Sequence, residues 1–273
     1  MEAEKILPSR YNIRNMAKKG IFDCTVVSNE ALNPSCFTLR LHADGLPALR
    51  PGQFVEVRID HTPTAFLRRP VSIHDVDSAT GDFSLMIQKV GSGTLYLAGL
   101  KPGDTLNVLL PLGNGFSLPA DGDRRPRLLV GGGVGVAPLL FLGRTLAAMG
   151  VPVTFLFGFR SKRDMPDLSA YEACGSVWVT TEDGSAGERG FVTDHSVLRT
   201  APSVIQTCGP TPMMKSVARY AVSHGAECEV SLENKMACGL GACLCCVTET
   251  KEGHKCVCSE GPVFNISELT WQI

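Results

Sequence analysis

Six of the eleven cysteines lie between Cys238 and Cys258, in "MACGLGACLCCV" and "CVCSEGPVF". Thiols packed this closely are metal ligands or redox groups more often than structural disulfides in a reducing compartment. Cys238, Cys243 and Cys246 follow the spacing C-x4-C-x2-C, and Cys258 comes after eleven intervening residues. The first three match the plant-type run that ligates a [2Fe–2S] cluster. Gly239 and Gly241 sit inside the first loop, where they let the chain wrap closely and turn N–H groups toward sulfur. A structural zinc site also takes four thiolates, but such sites usually show two C-x2-C knuckles and only one is clear here. The spacing therefore favours iron–sulfur over zinc. Cys245 adjoins Cys246 and points elsewhere. Cys256 and Cys258 are two apart and share a face if that segment is extended, so spacing alone leaves the fourth ligand open between them.

A second set of residues suits nucleotide chemistry. Gly131, Gly132, Gly133 and Gly135 form a turn between a buried run, "RLLV", and a helix-like run, "PLLFLGRTLAAMG". Such a turn lets backbone N–H groups approach a pyrophosphate at a helix N-terminus. The pattern is not G-x-G-x-x-G, because position 136 is Val, so a plain packing turn remains open. "TCGPTPMM" makes another strand-to-helix turn and puts Cys208 at the carboxyl edge of a sheet, near a nicotinamide if one binds there. A small buried residue is the bland alternative. In "RRPVSI" an Arg and Ser72 flank Pro70 and can hold a phosphate and a ring nitrogen, or simply end an edge strand. "KVGSGT" adds glycines, a hydroxyl and backbone donors.

These groups need a frame, and the chain supplies three kinds. From residue 20 to 122, "FDCTVV", "CFTLRLH", "QFVEVRI", "RPVSIHDV", "FSLMIQKV" and "TLNVLL" alternate with turns such as "LRPG", "SATGD" and "LKPGD". Six short strands at this spacing predict a small antiparallel barrel. From 123 to 225, strands alternate with helices, which predicts a parallel sheet covered on its faces. Residues 226–273 show little regular pattern, and a metal centre would cross-link their loops. Residues 1–19 are polar and read as an extension.

Composition narrows the function classes. The 273 residues are 44% hydrophobic and 19% charged, enough for two cores. A net charge of -1 argues against a nucleic-acid binder. The N-terminus lacks the apolar stretch of a secretory signal, and the Gly-rich run from Leu128 to Gly143 is shorter than the roughly 20 apolar residues that cross a bilayer. A cytoplasmic protein without membrane contact is expected.

In order, "PGQF", "LRRPVSI", "VGSGT", "GGGVGVAPL", "TCGPTPMM", "MACGLGACLCC" and "CSEGPVF" resemble the electron-transfer subunits of type B dihydroorotate dehydrogenase, within the ferredoxin-reductase-like flavoproteins. The resemblance runs from about residue 20 to 265. It implies a Greek-key barrel holding FAD, an α/β domain binding NAD and a C-terminal [2Fe–2S] lobe. Its R-P-x-S motif falls on Arg69, Pro70, Val71 and Ser72, and its G-T motif on Gly93 and Thr94. Met86, Ile87 and Gln88 would contact the flavin through their backbone. The tail C-x-[DE]-G-P-V-F selects Cys258 as the fourth ligand and leaves Cys245 and Cys256 as departures from the pattern. It also implies a separate FMN-containing catalytic subunit, two of each subunit in a heterotetramer, and electrons running from dihydroorotate through FMN, cluster and FAD to NAD+ in pyrimidine synthesis. A reductase subunit of a related ferredoxin:NADP oxidoreductase or hydrogenase, and a non-enzymatic zinc or redox module, are the other readings.

Overall fold

The structure is a computed structural model that describes residues 18–60 and 65–273. All but the last two residues of the polar N-terminal extension lie outside the described residues. Six strands, β1 (Gly20–Ala31), β2 (Cys36–His42), β3 (Phe54–Val57), β4 (Arg69–Asp77), β5 (Asp82–Gln88) and β6 (Thr105–Leu112), close a barrel in the order β1-β2-β5-β4-β3-β6. All six fall on the runs that alternate in the sequence. Inward positions such as Cys24, Leu39, Val55, Ile73, Leu85 and Val108 form its core. A short helix, α1 (Ser92–Ala98), follows β5 and closes one end.

β3 departs from simple alternation, because all four of its residues are buried. Val55 and Val57 face the barrel core, while Phe54 packs outward with Leu112, Val130 and Cys246. The outer face of this strand is thus a wall against the rest of the chain.

The second layer is a seven-stranded sheet. Its strands are β7 (Arg127–Gly132), β8 (Val153–Phe159), β9 (Ser176–Thr181), β10 (Glu188–Arg189), β11 (Val204–Cys208), β12 (Glu227–Ser231) and β15 (Val263–Asn265), in the order β10-β9-β8-β7-β11-β12-β15. All pair in parallel except β15, which runs antiparallel to β12. The helices α2 (Ala137–Ala148), α3 (Ser169–Glu172) and α4 (Thr211–Ser223) cover its faces. Strand order reverses between β7 and β11, so the carboxyl ends of these strands frame a crevice, the usual ligand position in open α/β sheets.

The sheet extends beyond residue 225. β12 and β15 come from the segment whose sequence shows little regular pattern, and they anchor it. Between them, β13 (Val247–Thr250) and β14 (Gly253–Cys256) form a hairpin. The C-terminal lobe is therefore built on the edge of the sheet, and its cysteines share a core with Phe54 and Leu112 of the barrel. Among the described residues no helix is long and apolar enough to cross a membrane.

Barrel and sheet are joined by polar contacts. His74 Nδ1 donates to the Ala137 carbonyl at 2.8 Å, since a carbonyl can only accept. Asp75 pairs with Arg144 at 2.8 Å, and Asn33 Nδ2 donates to the Asp164 carbonyl at 2.9 Å. Burial holds the His74 pKa below the ordinary histidine value, so it sits there neutral.

Candidate redox site

Arg69 and Gly93 are 24 positions apart in sequence, yet a Cβ added at Gly93 would lie 3.0 Å from Arg69 Nε. β4 and the turn into α1 thus form a cradle that a side chain at 93 would fill. Arg69 Nη1 is steadied by the Leu67 carbonyl at 2.6 Å. Thr94 holds the turn itself, its hydroxyl accepting from Val90 N at 2.9 Å and Gly91 N at 3.2 Å. Pro70 is exposed, and Val71 and Ser72 are half-buried on the same strand. Ile87 faces the barrel core, whereas Met86 and Gln88 line a large cavity.

Arg68 goes elsewhere. It donates to the carbonyls of Glu56 and Asn107 at 3.1 and 3.2 Å and to Asn107 Oδ1 at 2.5 Å. Asn107 is in turn bound to Asp23 at 2.7 Å. The two adjacent arginines of "RRPVSI" are thereby sorted, one into the frame and one toward the cradle.

The cavity measures about 630 Å³ and spans the gap between barrel and sheet. Gly132, Gly133, Gly135 and Gly209 line it on the sheet side. Gly131 and Cys208 are paired in register across β7 and β11. A Cβ at Gly135 would come within 2.5 Å of the Cys208 carbonyl, so only glycine lets the turn press against the end of β11. Cys208 is buried and its thiol is pushed far up by desolvation, with the nearby Glu233 adding to the effect, so it is not a thiolate. Glu233 also lines the cavity, and desolvation raises its carboxyl pKa. Sequence reasoning missed Glu233. It follows β12 by two residues, and no motif marks it once β12 is unread.

The cysteine loop forms a nest of N–H groups around sulfur. Leu240 N donates to Cys238 Sγ at 3.4 Å, Gly241 N to Cys258 Sγ at 3.1 Å and Cys258 N to Cys246 Sγ at 3.4 Å. Gly239 and Gly241 have φ of 66° and 82°, which this wrapping requires. The Leu240 N–H, helped by those of Cys243 and Ala242, pulls Cys238 down to about 6, so it is a ready thiolate. Burial and the neighbouring Cys246 push Cys258 up to about 12. All eleven cysteines are free. Cys246, Cys256 and Cys258 are buried, whereas Cys243 and Cys245 are exposed. Cys256 also lies beside Cys246, with its Sγ 3.9 Å from the Gly241 carbonyl. Among the described residues no three ligating side chains close on a single-ion site. Donor chemistry of this kind, thiols with backbone N–H groups aimed at sulfur, suits an iron–sulfur cluster.

The lobe is clamped to the barrel. Asn114 N donates to the Gly261 carbonyl at 2.5 Å, and Asn114 Nδ2 to the carbonyls of Ser259 and Glu260 at 3.2 and 3.0 Å. Glu56 on the outer face of β3 lies under Gly239, whose added Cβ would meet Glu56 Cγ at 2.8 Å. Glu56 is wholly buried and neither carboxylate oxygen has a partner among the described residues.

Residues 23–116 match an oxidoreductase FAD-binding domain, and residues 233–270 match the iron–sulfur cluster binding domain of dihydroorotate dehydrogenase B. The dihydroorotate dehydrogenase B (NAD(+)) electron transfer subunit of Bacillus velezensis is 40% identical over 252 residues, covering 90% of this chain and 97% of the relative. The chain belongs to this family of electron-transfer subunits. The Fusobacterium nucleatum member is 35% identical, over 91% of this chain and 98% of its own length. A solved structure of an NADH-dependent reduced ferredoxin-NADP oxidoreductase, described in connection with flavin-based electron bifurcation, superposes with a TM-score of 0.81 at 31% identity, covering 91% of this chain and 90% of that one. A ferredoxin reductase of carbazole 1,9a-dioxygenase shares the fold, with a TM-score of 0.67 at 24% identity over 78% of this chain and 68% of that one. Within this family the cradle on the barrel falls inside the FAD-binding match, and all six clustered cysteines fall inside the iron–sulfur match.

Proposed function

We propose that this chain carries electrons between a nicotinamide dinucleotide and a partner FMN-containing dihydroorotate dehydrogenase subunit, through FAD and a [2Fe–2S] cluster. The observation that carries the reading is the shared cavity, into which the flavin-side residues Met86 and Gln88 and the glycine turn both open. Residues 20–122 would form the flavin unit, 123–225 the nucleotide unit and 226–273 the cluster lobe. FAD, when bound, exchanges two electrons with a nicotinamide and passes them singly to an iron–sulfur centre. Arg69 offers its guanidinium to a phosphate beside Gly93, with Pro70, Val71 and Ser72 along the ring system. Gly132, Gly133 and Gly135 leave room for a pyrophosphate at the start of α2, while Gly131, outside the cavity lining, makes room for Val136, Phe157 and Leu139 beneath the turn. Glu233, its carboxyl pKa raised by desolvation, lines the same cavity, whereas Cys208 is buried behind it and Gly209 takes its place in the lining. Cys238, Cys243, Cys246 and Cys258 would hold the cluster, and Asn114 keeps their lobe on the barrel. The assembly would hold two copies of each subunit, in a cytoplasmic setting that leaves these thiols reduced.

The purified chain, loaded with both cofactors, is expected to reduce ferricyanide with NADH but to leave dihydroorotate untouched. Dihydroorotate oxidation should appear only on adding the catalytic subunit. Dihydroorotate-dependent dye reduction by the single chain would overturn the reading. The structural likeness to an NADH-dependent ferredoxin-NADP oxidoreductase favours one alternative, a subunit of such a complex, and the identity of the co-purifying partner separates the two.

Arg69→Ala should weaken FAD binding by about ten- to a hundredfold, the range for losing one charge-assisted hydrogen bond. Flavin content after gel filtration measures it. Arg68 cannot substitute, because its guanidinium is held by Asn107 and Glu56. Full flavin occupancy in Arg69→Ala would remove Arg69 from the site.

A further inference from the structure

The cavity between barrel and sheet has a wall on each side. The barrel contributes Ser35, Cys36, Met86 and Gln88. These lie side by side, with Cys36 paired to Gln88 across β2 and β5 and Lys89 N donating to the Ser35 carbonyl at 2.8 Å. The sheet side includes Asp164, in the turn that follows β8. A flavin would lie against the first wall and a nicotinamide dinucleotide against the second. The gap between the walls then decides whether the two rings meet.

One side chain bonds to both walls. Asn33, in the turn between β1 and β2, accepts through Oδ1 from Ser35 N at 2.9 Å, Ser35 Oγ at 3.0 Å and Cys36 N at 2.8 Å. Its Nδ2 donates across the gap to the Asp164 carbonyl at 2.9 Å. Asp164 is well anchored. Its N donates to the Ser161 carbonyl at 3.0 Å, Ser161 Oγ donates to its carboxylate at 2.8 Å, and Lys162 N donates to Ser185 Oγ at 2.7 Å. Leu32 and Met165, the chain neighbours of Asn33 and Asp164, pack on the core that holds Cys36 and Met86, so the clasp sits over apolar side chains. The links from His74 to Ala137 and from Asp75 to Arg144 also join barrel and sheet, but they hold α2 against β4 and lie outside the cavity lining.

We propose that Asn33 is a positioning residue for hydride transfer, holding the two walls at the separation where nicotinamide and flavin touch. The proposal rests on the reading of this cavity as the place where the two meet. Asn33 is not itself in the lining, so it acts through Ser35 and Cys36 on one side and Asp164 on the other. One hydride leaves the dihydronicotinamide, which becomes NAD+, and the flavin takes it, so no further reactant enters. Such a transfer needs reacting atoms about 3 to 3.5 Å apart, and a misplacement of about 1 Å can cost about a hundredfold. Asparagine suits this post because one short planar group offers both an acceptor and a donor. Aspartate offers acceptors only, so it would cap the turn and repel the carbonyl opposite.

Two variants separate the clasp from the turn. Asn33→Asp keeps the acceptor for Ser35 and Cys36 and breaks only the bond between the walls. Asn33→Ala loses both. In the chain loaded with FAD and cluster, flavin reduction is followed by stopped-flow absorbance over a range of NADH concentrations, together with the long-wavelength charge-transfer band of stacked nicotinamide and flavin. The limiting rate should fall at least tenfold in both variants and the band should weaken. Both are properties of flavin-loaded molecules, so reduced occupancy does not mask them. ADP-ribose, which lacks the nicotinamide, should bind Asn33→Asp in calorimetry as it binds the parent chain. An unchanged rate and band in Asn33→Asp overturn the positioning role. A loss confined to Asn33→Ala also overturns it and assigns the effect to the turn. ADP-ribose binding weakened in step with the rate overturns it too, because the clasp would then shape the nucleotide site rather than the gap. If NADH does not reduce the parent flavin and ADP-ribose does not bind, the dinucleotide reading falls and the proposal falls with it.

Discussion

Serine at Cys246 or Cys258 should strip the chain of its iron–sulfur centre, while serine at Cys245 should leave it in place. A thiolate binds iron far better than a hydroxyl that stays protonated near neutral pH. Changes merely behind a metal ligand already cost about 10- to 100-fold in metal affinity, and loss of a ligand should exceed that. Cys246 and Cys258 are both buried and linked by the Cys258 N–H to the Cys246 sulfur, so neither can be replaced without leaving the nest incomplete. Cys245 is exposed and takes no part in the N–H···S bonds of the loop. Cys256 is the sharper comparison, because it too lies beside Cys246. Its sulfur faces a carbonyl oxygen, that of Gly241, rather than an N–H, and an acceptor repels a thiolate. Cys256→Ser should therefore keep the cluster. Iron content and the EPR signal of the reduced cluster measure all four variants. Cluster loss in Cys245→Ser or Cys256→Ser, with retention in Cys258→Ser, would reverse the assignment.

The barrel strands were legible because each is an apolar, β-branched run bounded by its own turn residues, a signal that needs no knowledge of distant residues. The spacing of the first three thiols was legible for a similar reason, since a cluster constrains neighbours in the chain. Legibility failed where burial comes from elsewhere. The outer face of β3 reads as Phe54 and Glu56, one apolar and one charged, and only the docked C-terminal lobe explains why both are buried. β12 and β15 are five and three residues long, and β15 pairs with a partner more than thirty residues away. Neither is long enough to show a pattern by itself. Arg68 and Arg69 are equivalent on paper, and the choice between them depends on Asn107, a residue of another strand. Glu233 sits just beyond β12, where a cavity-lining residue and a solvated one look alike in sequence.

Glu56 should make the chain progressively less stable as the pH rises from acid to neutral, and Glu56→Gln should remove most of that dependence. Desolvation is the largest influence on its carboxyl, which is pushed up to about 7 from 4.5, with Arg68 opposing and the Cys238 charge reinforcing the rise. The folded state therefore holds a proton on Glu56 that the unfolded state gives up at lower pH. Below about pH 4.5 both states are protonated and the residue contributes no pH dependence. Between that value and about 7 the unfolded chain ionises first, and stability falls. Above 7 both ionise and the loss is complete. A difference of this size corresponds to about 3 kcal/mol, at 1.36 kcal/mol per pKa unit. The cost arises from the position of the acid, shut between β3 and the Gly239 loop with no donor to either oxygen. Glutamine has the same shape without the charge, so it should gain about 3 kcal/mol over the parent chain at pH 8 and under about 1 kcal/mol at pH 5. Urea unfolding of both proteins, with cofactors bound, at those two pH values measures the difference. An advantage for Glu56→Gln that is the same at both would show that the carboxyl is not held protonated by burial, and that donors from the loaded cluster loop satisfy it instead.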